Sequence, residues 1–210
     1  MSDSLNSAPL VDGPGLERAI TLTDAVVAIA MTLLILPLVE LAGDVDSRDL
    51  TGFLHEHGDV LLSFAVSFVV IYIFWAAHGT VFRRLTLAEA EPPAALRQLN
   101  LWWLLVIAFL PFPTAVVGRD LNTASAPVYI GTMFVLSALT TAMVMVVGKV
   151  TGPSQRVRWA WLTTAVFALC ALLSLVNADL GMLALLLLAV VRVVEVRVLS
   201  QPEARFRRVS

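Results

Sequence analysis

The chain has 210 residues, 59% of them hydrophobic and 14% charged, with a mean hydropathy of +0.86 and a formal net charge of -2. So apolar a balance excludes an ordinary soluble domain, and a charge so near neutral excludes a nucleic-acid binder, which needs a strongly basic face. Cys170 is the only cysteine, so an internal disulfide is impossible and thiol-based redox or metal chemistry has no cluster to work with.

Residues 1–17 form a polar tail with no Lys or Arg before Arg18 and no small-residue cleavage site, so the first apolar run is expected to stay in the mature chain. A helix needs about 20 apolar residues to cross the hydrocarbon layer. Six stretches qualify, over 20–41, 59–82, 99–117, 127–148, 159–176 and 181–199. The reading is an all-α integral membrane protein with six transmembrane helices in one domain, residues 18–199, followed by a basic tail, residues 200–210. Arg18, Arg83, Arg84, Arg97, Lys149, Arg156, Arg158, Arg197, Arg205, Arg207 and Arg208 fall on one side of these spans, against Arg48 and Arg119 on the other. That asymmetry predicts cytoplasmic termini. The closing arginines read as the retaining charge of the last span, in contact with anionic membrane lipid.

The first span, "LTDAVVAIAMTLLILPLVEL" over 22–41, keeps an acid, a hydroxyl and a proline among apolar residues. Each needs a reason, because an ionisable group inside a span costs about 2.5–3.5 kcal/mol on insertion scales. At about 100° per residue with Asp24 at zero, Thr32 falls at about 80°, Leu36 at about 120°, Ile29 at about 140° and Leu33 at about 180°. Asp24 and this stripe therefore face different neighbours: if the stripe lines a pathway, the acid is an anchor rather than an ion ligand. Thr32 is expected to return its hydroxyl proton to the carbonyl of Ala28. Pro37 cannot donate to the Leu33 carbonyl, so the helix is expected to bend just beyond the stripe. Glu40 has two readings that stay open here, a cation-concentrating charge at an outer mouth or a carboxylate that simply reaches the interface.

The expected topology sets Asp24, His78 and Asn100 at similar depth in the inner leaflet. Trp75 and His78, three apart in "FWAAH", share one face of the second helix, so both rings can point at the Asp24 carboxylate. An interfacial aromatic belt is the plainer account of the same two residues. In the first outer loop, "HEHGD" (His55, Glu56, His57, Asp59) offers polar groups, but two histidines one residue apart have no third ligand at a defined spacing, so no metal is expected.

Arg18, "TDAVVAIAMTLLILPL" at 23–38, "FWAAH" at 74–78 and "LNLWWLLVIAFLPFPTAVVG" at 99–118 together resemble the transmembrane protein 175 family of potassium channels, whose prokaryotic members have six spans. The likeness covers the first three helices; the last three match in number and length only. The family's Phe-Ser-Asp signature stands here as Leu22, Thr23, Asp24, with the acid and the hydroxyl kept and the aromatic lost. The resemblance implies a homotetramer in which helix one of each subunit lines a central pore. Its constriction would be made by Ile29, Leu33 and Leu36, with Thr32 at the level that favours potassium. It also implies a polar network between helices of Arg18, Asp24, Trp75, His78 and Asn100.

The function expected is thus a potassium-permeable cation channel of a bacterial or archaeal cell membrane, not an enzyme, needing no cofactor and taking potassium as its permeant ion. This sequence holds no Thr-Val-Gly-Tyr-Gly loop, so a carbonyl-cage filter is not expected and discrimination against sodium should be modest. A proton-coupled secondary transporter using Asp24 and His78 is the competing reading.

Overall fold

The structure, a computed structural model, describes residues 13–41, 43, 50–88, 91–152, 156–181 and 183. In chain order its helices are α1 (Gly13–Leu33), α2 (Leu36–Leu41), α3 (Leu50–Glu56), α4 (Gly58–Leu87), α5 (Ala94–Phe109), α6 (Pro111–Arg119), α7 (Ser125–Thr151) and α8 (Arg156–Val176). Among the described residues, five helical stretches are long and apolar enough to cross a membrane: α1 with α2, α4, α5 with α6, α7 and α8. The expected sixth span, 181–199, lies outside the described residues apart from Gly181 and Leu183, as does the basic tail 200–210. Its approach is visible: Asn177 accepts from the Leu180 and Gly181 backbone N–H groups, capping a helical turn at 178–181.

Helix α1 begins at Gly13, ahead of the boundary expected at residue 18. Pro14 suits a first helical turn, where its missing N–H would have no partner in any case.

Prolines account for the two breaks inside spans. Between α5 and α6, Pro111 and Pro113 cannot donate to the carbonyls of Ile107 and Phe109. Leu110 tightens the turn instead, its N–H reaching the Ile107 carbonyl at 3.2 Å. Between α1 and α2, Ile35 N–H bonds the Thr32 carbonyl at 3.3 Å, and the N–H groups of Leu38 and Val39 share the Ile35 carbonyl at 3.0 Å. The break at Leu34–Ile35 corrects the expected bend beyond the stripe, because it falls between Leu33 and Leu36. A proline ring also crowds the carbonyl four residues back, so Pro37 disturbs the turn at Leu33 rather than the one ahead.

The core sits on α5 and α7. Their spanning windows are 44% buried against 22% for the other three, so these helices form the middle of the bundle. Trp103, Leu96, Ile107 and Leu110 of the third span meet Tyr129, Ile130, Met133, Leu136, Met143 and Val147 of α7, all fully enclosed. Helix α4 packs beside them through Val70, Ile71, Phe74, Val81, Phe82 and Leu85. Gly118 lets α6 approach α4 closely, since a Cβ at that position would lie 3.3 Å from the Val60 Cα and overlap the Ser63 hydroxyl. Between the first two spans the short helix α3 was not anticipated. It sets Phe53 against the His57 ring, centroids 4.6 Å apart and planes tilted by 60°, at the turn into α4.

Candidate functional site

Helix α1 has two unlike faces. Thr23, Val27, Ala30 and Leu34 are 1–3% exposed and pack into the subunit's own core. On the wheel used for the stripe they lie between about 240° and 300°, opposite it. The stripe is uncovered: Ile29 is 59% exposed, Leu36 50% and Leu33 40%, and Thr32 is exposed as well. Among the described residues, then, none encloses Ile29, Thr32, Leu33 or Leu36. The Thr32 hydroxyl donates to the carbonyl of Ile29 at 2.8 Å, one residue nearer than the expected Ala28.

The polar residues expected at inner-leaflet depth divide into two groups rather than one. Trp75 Nε1–H donates to Asp24 Oδ1 at 2.7 Å on the outer surface of the subunit, where Asp24 is exposed and Tyr72 lies against the indole with centroids 5.8 Å apart. His78 points inward, 3% exposed, between the rings of Phe82 and Trp103 with centroids at 4.6 and 4.4 Å. It meets Asn100 Oδ1 at 2.7 Å; a carbonyl oxygen only accepts, so Nε2 carries the proton. Asn100 in turn donates from Nδ2 to Thr23 Oγ1 at 3.4 Å, and Thr23 donates to the Ala19 carbonyl at 2.8 Å. The expectation that both rings address one carboxylate is corrected. Positions three apart differ by about 60° around a helix, enough to send Trp75 outward and His78 into the core. Arg18 is exposed and makes no hydrogen bond or ion pair with any described residue.

At the opposite end Glu40, in the last turn of α2, forms an ion pair with Arg119, the last residue of α6; both side chains are well exposed. Three further polar clusters escaped the sequence reading. Thr114 donates to Ser67 at 2.9 Å, and Ser67 meets the Tyr129 hydroxyl at 2.8 Å, joining α6, α4 and α7. Thr164 of α8 bridges Ser137 and Thr141 of α7, both at 2.8 Å. Trp103 donates to Thr140 at 3.1 Å. Single hydroxyls in apolar runs gave no spacing signal that could have found them. Thr23 did carry one, its place beside Asp24 in the quoted signature.

Comparison with known proteins meets this geometry at α1, α4 and α5. Residues 18–111 match the family model described as "Endosomal/lysosomal potassium channel TMEM175". The match takes in just under half of the chain. The matched stretch holds the exposed stripe, Asp24 with Trp75, and the His78–Asn100–Thr23 chain. A protein named as a potassium channel in Streptomyces collinus (strain DSM 40733 / Tue 365) is 38% identical over 108 residues, 50% of this chain and 48% of that one. The chain spans about half the length of that relative. Likeness in fold extends further than the sequence match. The crystal structure of a lysosomal potassium-selective channel TMEM175 homolog from Chamaesiphon minutus covers 87% of this chain and 98% of its own, with a TM-score of 0.69 at 22% identity. This chain is an integral membrane protein with that helical architecture.

Proposed function

We propose that four copies of this chain surround a potassium-permeable pathway, lined by Ile29, Thr32, Leu33 and Leu36, in a bacterial cell membrane with both termini cytoplasmic. One observation carries the reading: the stripe of Ile29, Thr32 and Leu33 on α1 and Leu36 on α2, a hydroxyl among large apolar side chains in mid-span, is left exposed by the described residues of its own subunit. One helix cannot enclose an ion path, so symmetry-related copies must supply the remaining walls. Rings of Ile29, Leu33 and Leu36 would gate by dewetting, closing when the ring is too narrow for water. Thr32 would offer its oxygens to the passing cation. Asp24 would anchor α1 to α4 through Trp75, outside the permeation path. The pathway needs no cofactor. Names of the matching proteins support potassium as the ion. A carrier that passes a proton between Asp24 and His78 is disfavoured, because the two side chains are bonded to different partners.

Purified protein in liposomes under a potassium gradient is expected to pass charge whose reversal follows the Nernst potential. Thr32→Ala is expected to lower the preference for potassium over sodium severalfold with assembly unchanged. A fixed ratio of protons to potassium would instead establish a carrier, and unaltered selectivity in Thr32→Ala would remove that residue from the pathway.

A further inference from the structure

The outer end of the proposed pathway is built differently from the rest of α1, and the difference gives Arg119 a task. Helix α2 carries Leu36, yet it is joined to α1 only through the loosened turn at Leu34–Ile35. None of its six residues is fully buried, and Pro37, Leu38 and Leu41 are only half-buried, so core packing holds its direction less firmly than that of α1. Isolated helices this short are marginal, and what holds them is contact with the rest of the fold. At its far end, one residue from its terminus, stands Glu40, paired with Arg119. Arg119 rides on a firm base: α6 buries Pro113, Thr114, Val117 and Gly118, and Thr114 is tied into the Ser67–Tyr129 chain.

We propose that Arg119 is a positioning residue that clamps the jointed segment Leu36–Leu41, and with it the Leu36 ring, to the rigid end of the third span. This inference rests on the pathway reading and deepens it. It also revises what Glu40 does: with a guanidinium bound, the carboxylate is largely neutralised and acts as a tether instead of gathering cations at the mouth. A surface ion pair is weak singly. It can still decide the outcome here because the segment has no fully buried residue to compete with it, and because symmetry repeats the clamp in every subunit.

The test uses the full-length protein in liposomes and compares Glu40→Gln, Arg119→Gln and the exchange Glu40→Arg with Arg119→Glu. Both single variants are expected to speed amide hydrogen exchange across Leu36–Leu41 without changing α4 or α7, and to alter potassium flux in the same direction by about two- to fivefold, the range that a weak pair of this kind permits. The exchanged pair is expected to restore both readouts. If the carboxylate concentrates cations instead, Glu40→Gln and Arg119→Gln will shift flux in opposite directions and exchange will stay unchanged, which overturns the clamp. Failure of the exchanged pair to restore slow amide exchange also overturns it. A wild-type protein that carries no potassium but shows the expected exchange pattern would sink the pathway reading and leave the clamp standing.

Discussion

Asn100 serves two helices at once. Its carbonyl oxygen takes the His78 proton from α4 and its amide gives one to Thr23 on α1, with all three side chains at most 6% exposed. Removing a partner from such a site leaves buried groups without hydrogen bonds, which costs more than the bonds themselves contribute. Asn100→Leu is therefore expected to lower stability by about 1–3 kcal/mol. Trp75→Phe, which frees an exposed carboxylate that lipid headgroups or water can reach, is expected to cost nearer the average of about 0.6 kcal/mol for hydrogen bonds between helices in lipid. Thermal unfolding in one detergent, followed by intrinsic fluorescence for the first variant and by circular dichroism for both, checks the order; equal losses would mean that burial does not set the cost. Depth was legible in the sequence, because span limits alone bring Asp24, Trp75, His78 and Asn100 to one level. Partnership was not, since it depends on how far each helix is rotated about its own axis, and that is fixed by the packing of Val27, Ala30, Phe82 and Trp103.

Helix packing places the end of the bundle around Gly118 under tighter constraint than its composition suggests. The approach of α6 to α4 at Gly118 leaves no space for a side chain, and the same pair of helices is joined by Thr114 and Ser67 one turn deeper. Gly118→Val is expected to push the helices apart and destabilise by about 1–3 kcal/mol, as overpacking does elsewhere. Gly131→Ala, where an added Cβ meets nothing within 4 Å, is expected to leave the melting temperature within a degree or two. The long helices and the proline interruption of the third span follow from apolar run length and from Pro111 and Pro113. The position of the break in the first span does not, because a proline's effect is felt a turn upstream and depends on whether Thr32 can accept from Ile35. Likewise α3 hides in a stretch too short and too polar to resemble a span.

For the whole molecule, exposure of the stripe becomes a lining face or a lipid face according to how the copies assemble. Leu172, Leu175 and Val176 on α8 are at least as exposed as Ile29, and in a bilayer apolar side chains are at ease against lipid. Thr32 adds little to the choice on energetic grounds, because its proton is already satisfied within the helix by the Ile29 carbonyl. What separates a lining face from a lipid face is distance to another copy. A closed ring brings the same residue of neighbouring subunits close to the axis, whereas residues on the rim of the assembly stay far apart. Cys170, the only native cysteine, is 1% exposed, so an introduced thiol reports cleanly. Ile29→Cys in membranes treated with a mild oxidant is expected to give disulfide-linked pairs, and Leu172→Cys is expected to give none above the wild-type background. Native mass spectrometry of the uncrosslinked protein should then find four copies. Linkage through Leu172 with Ile29 silent would turn the assembly inside out and place the stripe against lipid.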